Sequence, residues 1–270
     1  MQPTRSYYRI LGAAIETAAS QVEGAQIDTV INFTEDLSPQ VMAERITRLG
    51  EECQAVALVS SVHPFVLGAV EQLQQKGVPV FAMISPLGGG YSYIGPDNWK
   101  AGRTAAWAVA NVCNAPGKVG ILVGNHRFRC QEANESGFRS YFREFAPEFT
   151  LLEPLSTFET SAVAEEITEK LLYDHPDIKG LFVAGGGISG VIRALSARGK
   201  AHQIVTVGHQ LMDYTREALL DRTITMLIHD PMEAMARETI TAMVQAQRRR
   251  PRDGREGRAA QDRPEFADAF

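Results

Sequence analysis

The sequence predicts an α/β protein whose parallel sheets are flanked by helices and shared between two lobes. Short apolar runs alternate with amphipathic helical segments along almost the whole chain, an order typical of parallel sheets with right-handed crossovers. Polar residues and glycines gather where the runs end, which is the sheet edge at which such folds bind ligands. Nine predicted strands in 270 residues are many for one small sheet, so two lobes are expected.

The first third of the chain predicts three helices and four strands. Ser38 and Pro39 supply an N-cap and a first helical residue, and Gly77 is placed to end a helix. Three glycines at 88–90 predict a flexible loop. The predicted helices are residues 6–19, a segment from Pro39 onward and residues 64–76, and the predicted strands are 27–33, 55–60, 78–84 and 92–95.

The rest of the chain continues the same alternation. Its apolar runs are continuous, as expected of parallel strands that are covered on both faces. The predicted strands are residues 119–123, 149–155, 180–184, 203–207 and 224–229, and the predicted helices are 99–112, 131–145, 161–173, 188–198, 213–220 and 231–247.

Composition places limits on location and partners. The chain has no apolar run of about 18 residues, so no membrane span is expected. Residues 1–9 lack the apolar segment of a signal peptide, and three widely spaced cysteines suit buried thiols in a reducing compartment, so the prediction is a cytoplasmic protein. From residue 248 onward seven arginines and five acidic residues form a tail that we expect to be disordered. The remaining chain carries a net charge of about −7, which makes it a poor nucleic-acid surface.

Residues 93–106 form the most informative stretch. A short apolar strand leads to Asp97 and Asn98, which we interpret chiefly as helix N-caps, and then to an alanine-rich helix. Similar joints recur along the chain without a Ser-His-Asp or paired-carboxylate pattern, and without metal-ligand spacing. The sequence therefore predicts a binding protein, not an enzyme, with no cofactor and no metal.

These joints resemble the type 1 periplasmic-binding-protein fold, which is found in sugar-binding transport proteins and in the effector domains of lactose-repressor-like regulators. The resemblance covers roughly residues 3 to 247. The Gly208-His209 dipeptide and the alanine-rich run at residues 101–106 are most similar to the regulator branch. Four stretches carry the resemblance: residues 3–8, residues 93–106, residues 134–138, and residues 207–210 together with 228–231.

The resemblance implies an effector-binding domain that takes a small hydroxylated molecule, such as a sugar or sugar derivative, between its lobes. It implies a homodimer that contacts DNA only through a headpiece outside this chain, and no membrane partner. The family's first strand and headpiece would precede residue 1, which would leave strands 27–33 and 55–60 each without a neighbour. The expected division is residues 1–96 plus 231–247 in lobe one, 97–230 in lobe two, and 248–270 in the tail.

The resemblance also implies a set of ligand-binding residues at the ends of strands. Ser85 and Gln210 stand where the family often has an acid, Asn134 where arginine is frequent, and His229 where glutamine is common, so the type of sugar stays open. Each residue also has a structural interpretation, such as core packing, helix capping or a solvated surface position. The ligand-binding set is Tyr7, Tyr8, Ser61, His63, Ser85, Arg127, Arg129, Asn134, Gly185, Gly186, Gln210 and His229.

Two alternatives remain open. One is the solute-binding protein of a sugar transporter, which shares the fold. The other is a nucleotide-dependent oxidoreductase, because residues 185–190 match G-x-G-x-x-G between a strand and a helix. A dinucleotide site favours an acid at the end of the next strand, but that strand ends in Gly208-His209-Gln210, and the nearest acid is Asp213.

Overall fold

The structure is a computed structural model, and it describes residues 6–34 and 36–249. Two parallel sheets, each covered by helices on both faces, form the two lobes. The strands in chain order are β1 (Val56–Leu58), β2 (Val80–Met83), β3 (Ser92–Ile94), β4 (Lys118–Val123), β5 (Thr150–Leu151), β6 (Leu155–Ser156), β7 (Ile178–Val183), β8 (Val205–His209) and β9 (Met226–Ile228).

The helices follow the predicted alternation closely, because each buries an apolar stripe against a sheet and several have a sequence signal at one end. Pro39 and Pro64 both occupy the first turn of a helix, where a missing N–H costs nothing. The helices are α1 (Ser6–Ser20), α2 (Pro39–Glu52), α3 (Pro64–Gln75), α4 (Asn98–Val112), α5 (Arg129–Phe145), α6 (Ser161–Asp174), α7 (Ile188–Ala197), α8 (Asp213–Leu220) and α9 (Met232–Arg248).

The smaller sheet has the strand order β1-β2-β3. Helices α2 and α3 cover one face with a core that includes Ile46, Val70 and Leu73. Helices α1 and α9 cover the other face around Leu11 and Ala236. The chain therefore starts and ends its described part in the same lobe, with α9 packed beside α1.

The larger sheet has the order β5-β4-β7-β8-β9, with β6 also paired to β4. Helices α4 and α5 bury one face around Phe138 and Phe182, whose rings stack with centroids 4.6 Å apart. Helices α6, α7 and α8 bury the opposite face around Leu181 and Leu195. The chain enters this lobe between β3 and α4 and leaves it between β9 and α9.

The predicted strand at residues 27–33 is wrong. The segment has the alternating burial of a strand, and Ile27 and Ile31 pack against α1, but no described backbone pairs with it. Periodicity predicted the buried face correctly, whereas a strand also requires a neighbour whose N–H and C=O groups it can bond. The segment predicted at 149–155 divides into β5 and β6, and Pro154 stands directly before β6. The expectation of a disordered tail concerns residues of which 250–270 lie outside the described part.

Candidate functional site

Loops from the two sheets meet where the strands end. The backbone N–H of Val62, after β1, donates to the carbonyl of Arg127, after β4, at 3.0 Å. The hydroxyl of Ser85, after β2, accepts from the N–H of Cys130 in the first turn of α5 at 3.3 Å. The structure thus brings the strand ends of the two lobes together and places Ser85, which is fully buried, between them.

Asp230 is the centre of a buried hydrogen-bond network at this meeting point. Its carboxylate accepts from the hydroxyl of Tyr7 at 2.8 Å and from Nε2 of Gln210 at 2.5 Å, and the residue is 5% exposed. Burial, followed by the nearby Asp230 charge, raises the pKa of Tyr7 far above its ordinary value, so the phenol stays neutral and donates. Tyr7 lies on α1, which covers the smaller sheet, and Gln210 follows β8 of the larger sheet, so this network links a helix of one lobe to a strand end of the other.

Gln210 is held tightly in this network. Its φ of 74° lies in the left-handed region, which is uncommon for a side chain other than glycine, asparagine or aspartate. Its N–H donates to the carbonyl of Ile228, and its own carbonyl accepts from the hydroxyl of Thr215. The backbone strain is therefore stabilised from both sides, while the buried Oε1 of Gln210 has no hydrogen-bond partner.

His209 precedes Gln210 and presents a second buried polar atom without a partner. Its Nε2 accepts and donates no hydrogen bond in the described part of the chain. Burial lowers the pKa of His209 below its ordinary value, although the neighbouring Asp230 charge acts in the opposite direction. The centroid of the His209 ring lies 5.8 Å from that of Phe182, so the imidazole packs against the aromatic core.

Asn134 and Asn98 form a second polar network beside the first. Nδ2 of Asn134 donates to the carbonyl of Cys130 at 2.9 Å and to Oδ1 of Asn98 at 3.3 Å. Nδ2 of Asn98 lies 3.0 Å from the hydroxyl of Tyr93 and 3.2 Å from the carbonyl of Pro96. Asn98 therefore links α4 and α5 to the chain crossing, the segment between β3 and α4 where the chain passes from one lobe to the other. Oδ1 of the buried Asn134 is left without a donor.

Asp97 stands at the same crossing as the N-cap of α4. Its Oδ1 accepts from the backbone N–H of Lys100 at 3.0 Å. Ile84, at the end of β2, has a φ of 67°, which is a strained value for a β-branched residue. Its carbonyl accepts from the hydroxyl of Tyr93 at 3.0 Å, so this strained turn is fixed by the crossing segment.

Four of the predicted ligand residues have local protein partners. His63 is the N-cap of α3, where its Nδ1 accepts from the N–H of Phe65 at 3.3 Å. The half-buried Ser61 accepts from the hydroxyl of Ser60 through its carbonyl, and the ring of Tyr8 lies edge-on to Tyr7. His229 is exposed, and its Nδ1 accepts from the N–H of Leu211 at 3.3 Å.

The two predicted arginines lie at the rim of the meeting point and not within it. Both Arg127 and Arg129 are exposed. The guanidinium of Arg129 lies against Gly88 of the opposite lobe, where a β-carbon would come 3.2 Å from Nη1. This contact makes Arg129 part of the interface between the lobes.

The glycines at 185–190 make close contacts with other parts of the protein. A β-carbon at Gly185 would lie 2.5 Å from Oε1 of Gln131, and one at Gly190 would lie 1.9 Å from the carbonyl of Ser161. The carbonyl of Gly186 accepts from the hydroxyl of Thr157 at 2.6 Å. These residues let α7 approach α6 and the end of β4, so the motif has a packing explanation.

Sequence reasoning missed several residues that the structure brings to the meeting point. Asp230 adjoins the predicted His229, and His209 adjoins the predicted Gln210, so their position in the same joints was the available signal. Cys130 is buried, and that burial raises the pKa of its thiol to about 11. Gln131 accepts from the N–H groups of Gly124 and Asn125 and donates to Glu159, which fixes the loop after β4.

Within residues 6–34 and 36–249, no group of three His, Cys, Asp or Glu side chains could hold a metal ion. Over the same residues, no helix combines the length and the apolar composition needed to cross a bilayer.

Two lobes of parallel sheet with a buried, partly unpaired polar network between their strand ends define a small-molecule-binding class of α/β protein. Residues 2–250 match the family described as "Periplasmic binding protein domain", and the chain belongs to this family. The match spans all of the described residues and agrees with the two-lobed fold.

Curated and solved relatives are distant in sequence. The chain is 22% identical over 232 residues to a D-apiose import binding protein of Paraburkholderia graminis, covering 84% of this chain and 74% of that protein. It has a TM-score of 0.83 and 19% identity to the periplasmic component of an ABC-type sugar transport system from Hahella chejuensis, covering 93% and 92%. An ABC transporter periplasmic solute-binding protein from Actinobacillus succinogenes with bound D-allose gives a TM-score of 0.82 and 18% identity, covering 93% and 90%.

Proposed function

We propose that this chain is a sugar-binding domain of the kind used by ABC-transporter solute-binding proteins, and that its ligand lies between the lobes. The observation that carries the proposal is the buried network around Asp230, whose neighbours Gln210 and His209 keep unpaired polar atoms. Buried polar atoms normally have partners, and a hydroxylated ligand supplies them. The names of the relatives, which import or bind D-apiose and D-allose, favour this transporter-type function.

The proposed division between the lobes falls at the two chain crossings. Lobe one comprises residues up to 96 together with 231–247, and lobe two comprises 97–230. Asp97, Asn98 and Asp230 stand at these crossings, so a ligand that contacts them senses the angle between the lobes. No catalytic role is needed for any of these residues, in agreement with relatives that are described as binding proteins.

A second candidate is the effector domain of a lactose-repressor-like regulator. The Gly208-His209 dipeptide and the alanine-rich start of α4 favour this regulator interpretation. Such a domain would act in the cytoplasm as a homodimer and bind DNA through a headpiece outside this chain. Sedimentation analysis distinguishes the two, since a dimer that persists at micromolar concentration favours the regulator and a monomer favours the transporter-type protein.

The test of sugar binding is a thermal-shift screen with D-apiose, D-allose, other aldoses, polyols and nicotinamide cofactors. A ligand at a hundred times its Kd adds about 2.7 kcal/mol of stability, which corresponds to a rise in Tm of about 5–10 °C for a chain of this size. A shift with sugars that is lost in Gln210→Ala supports the proposal. A shift with a nicotinamide cofactor alone would instead favour the oxidoreductase interpretation of residues 185–190.

A further inference from the structure

The site contains several buried polar atoms that have no hydrogen-bond partner. Four buried side-chain nitrogen or oxygen atoms in the described residues lack a hydrogen-bond partner, and three of them belong to Asn134, His209 and Gln210. Gln210 and His209 adjoin Asp230 directly. Asn134 lies one helical turn before Phe138, whose ring stacks on Phe182, and Phe182 in turn contacts His209. His209 thus contacts the aromatic pair directly, and Asn134 belongs to the helix that supplies Phe138.

The protein fixes the orientation of both amides. Nδ2 of Asn134 donates to the carbonyl of Cys130 and to Oδ1 of Asn98, and a flipped amide would set oxygen against both of these acceptors. Nε2 of Gln210 donates to the carboxylate of Asp230, and a flipped amide would likewise set oxygen against oxygen. Both N–H groups of the Asn134 amide are thus occupied, so Asn134 can offer a ligand only its carbonyl oxygen, a hydrogen-bond acceptor. The buried atom that Gln210 leaves without a partner is likewise its carbonyl oxygen.

The charges around these acceptors disfavour an anion. Asp230 carries its negative charge directly behind Gln210, at 5% exposure, and its two hydrogen-bond donors are the neutral groups of Tyr7 and Gln210. The nearest arginines of the opposing loop, Arg127 and Arg129, are exposed at the rim, and Arg129 lies against Gly88. A buried carboxylate or phosphate of a ligand would meet acceptors and a like charge, an arrangement that is strongly unfavourable without a cationic partner.

Resting on the proposed function, we infer that the site selects uncharged polyhydroxylated ligands, whose hydroxyl hydrogens bond Oδ1 of Asn134 and Oε1 of Gln210, and that it rejects sugar acids and sugar phosphates. Tyr7 and Asp230 are positioning residues for this selection, because they hold the Gln210 amide with its oxygen toward the ligand. The selection follows from hydroxyl groups being donors, whereas an ionised carboxylate or phosphate only accepts.

The experiment is titration calorimetry of the full chain with matched sets of neutral and acidic sugars. The sets are D-glucose, D-glucuronate and glucose 6-phosphate; D-galactose and D-galacturonate; and D-ribose and ribose 5-phosphate; with D-allose and D-apiose added as neutral probes. In whichever of these sets binds, we expect the neutral sugar to bind at least tenfold more tightly than the sugar acid or sugar phosphate of the same set. An acid that binds as well as or better than its neutral partner overturns the inference and leaves the proposed function standing. If no member of any set binds and neither added sugar does, the proposed function fails together with the inference.

Variants test the two acceptors separately from the fold. Gln210→Leu and Asn134→Leu should each weaken binding of the neutral sugar at least tenfold. Gln74→Leu, at an exposed position of α3, is the matched control and should leave the affinity unchanged. Circular dichroism and the unliganded Tm verify that each variant is folded. Unchanged affinity in folded Gln210→Leu and Asn134→Leu overturns the assignment of these contacts.

Discussion

Asp230 is a buried carboxylate whose charge is stabilised by hydrogen bonds from a tyrosine hydroxyl and a glutamine amide. Hydrogen bonds to a charged group each contribute about 1.5–3 kcal/mol, more than those between neutral groups. Such bonds also require the donors to stay in place, and the strained backbone of Gln210 supports this geometry. At the scale of single residues, then, the site is a fixed negative charge surrounded by oriented dipoles.

His209 makes the stability of the protein sensitive to acid. Burial lowers the pKa of His209 in the folded state, whereas a histidine in the unfolded chain has a pKa of about 6.5. Below that pH the unfolded chain therefore binds a proton that the folded chain does not, and the free energy of unfolding falls by up to about 1.4 kcal/mol per pH unit until the folded ring also titrates. We expect His209→Gln to reduce this slope between about pH 6.5 and 5 in urea titrations.

The matched control for this measurement is His202→Gln, at an exposed position between α7 and β8. That substitution should leave the pH slope of the wild-type chain unchanged. Equal slopes in His209→Gln and wild type would show that His209 has the same pKa in the folded and unfolded states and that its burial does not shift it.

Between elements, helices α4 and α5 approach so closely that only glycine fits at their crossing. A β-carbon at Gly102 would lie 1.9 Å from the carbonyl oxygen of Asn134, and one at Gly137 would lie 2.1 Å from the carbonyl oxygen of Trp99. Both contacts are with backbone, which cannot rotate away. Because Asn134 is a site residue, this crossing sets the position of its acceptor as well as the stability of the lobe.

Gly102→Ala should therefore destabilise the protein by about 1–3 kcal/mol, the usual cost of overpacking a rigid contact. Gly68→Ala is the matched control, because Gly68 is also helical and a β-carbon there would meet no atom within 4 Å. Alanine has the higher helix propensity, so that control should gain about 0.5–1 kcal/mol. The midpoints of urea unfolding at constant m-value measure both changes, and a Gly102→Ala variant as stable as the control would contradict the close packing.

The same elements show how far sequence could predict this fold and site. Proline and glycine signals at Pro39, Pro64 and Gly77 marked helix ends correctly, because their effect is local. The strand at residues 27–33 was predicted from a correct burial pattern, but pairing depends on a distant segment that periodicity does not describe. Asp230 and His209 were missed for a similar reason, since only the folded chain shows which member of an adjacent pair is buried and lacks a partner.

At the scale of the whole molecule, the hydrogen bonds that connect the proposed lobes include the contacts of Val62 with Arg127, of Ser85 with Cys130 and of Tyr7 with Asp230. At a net value of about 1 kcal/mol each, these three bonds favour the closed arrangement by about 3 kcal/mol. A ligand that bridges the lobes then adds its own contacts to hydrogen bonds that already favour closure.

Weakening these contacts should open the unliganded protein. In the double variant Tyr7→Phe with Ser85→Ala, two of the three bonds are lost while the ring of residue 7 is kept, so the bias toward closure falls by about 2 kcal/mol. We expect small-angle scattering to show a larger radius of gyration for the unliganded double variant than for the wild type, and saturating sugar to remove the difference. Tyr173→Phe, which alters an exposed hydroxyl, should behave as wild type. If the wild type without sugar already has the larger radius, the three bonds are too weak to hold the lobes, and closure depends on the ligand alone.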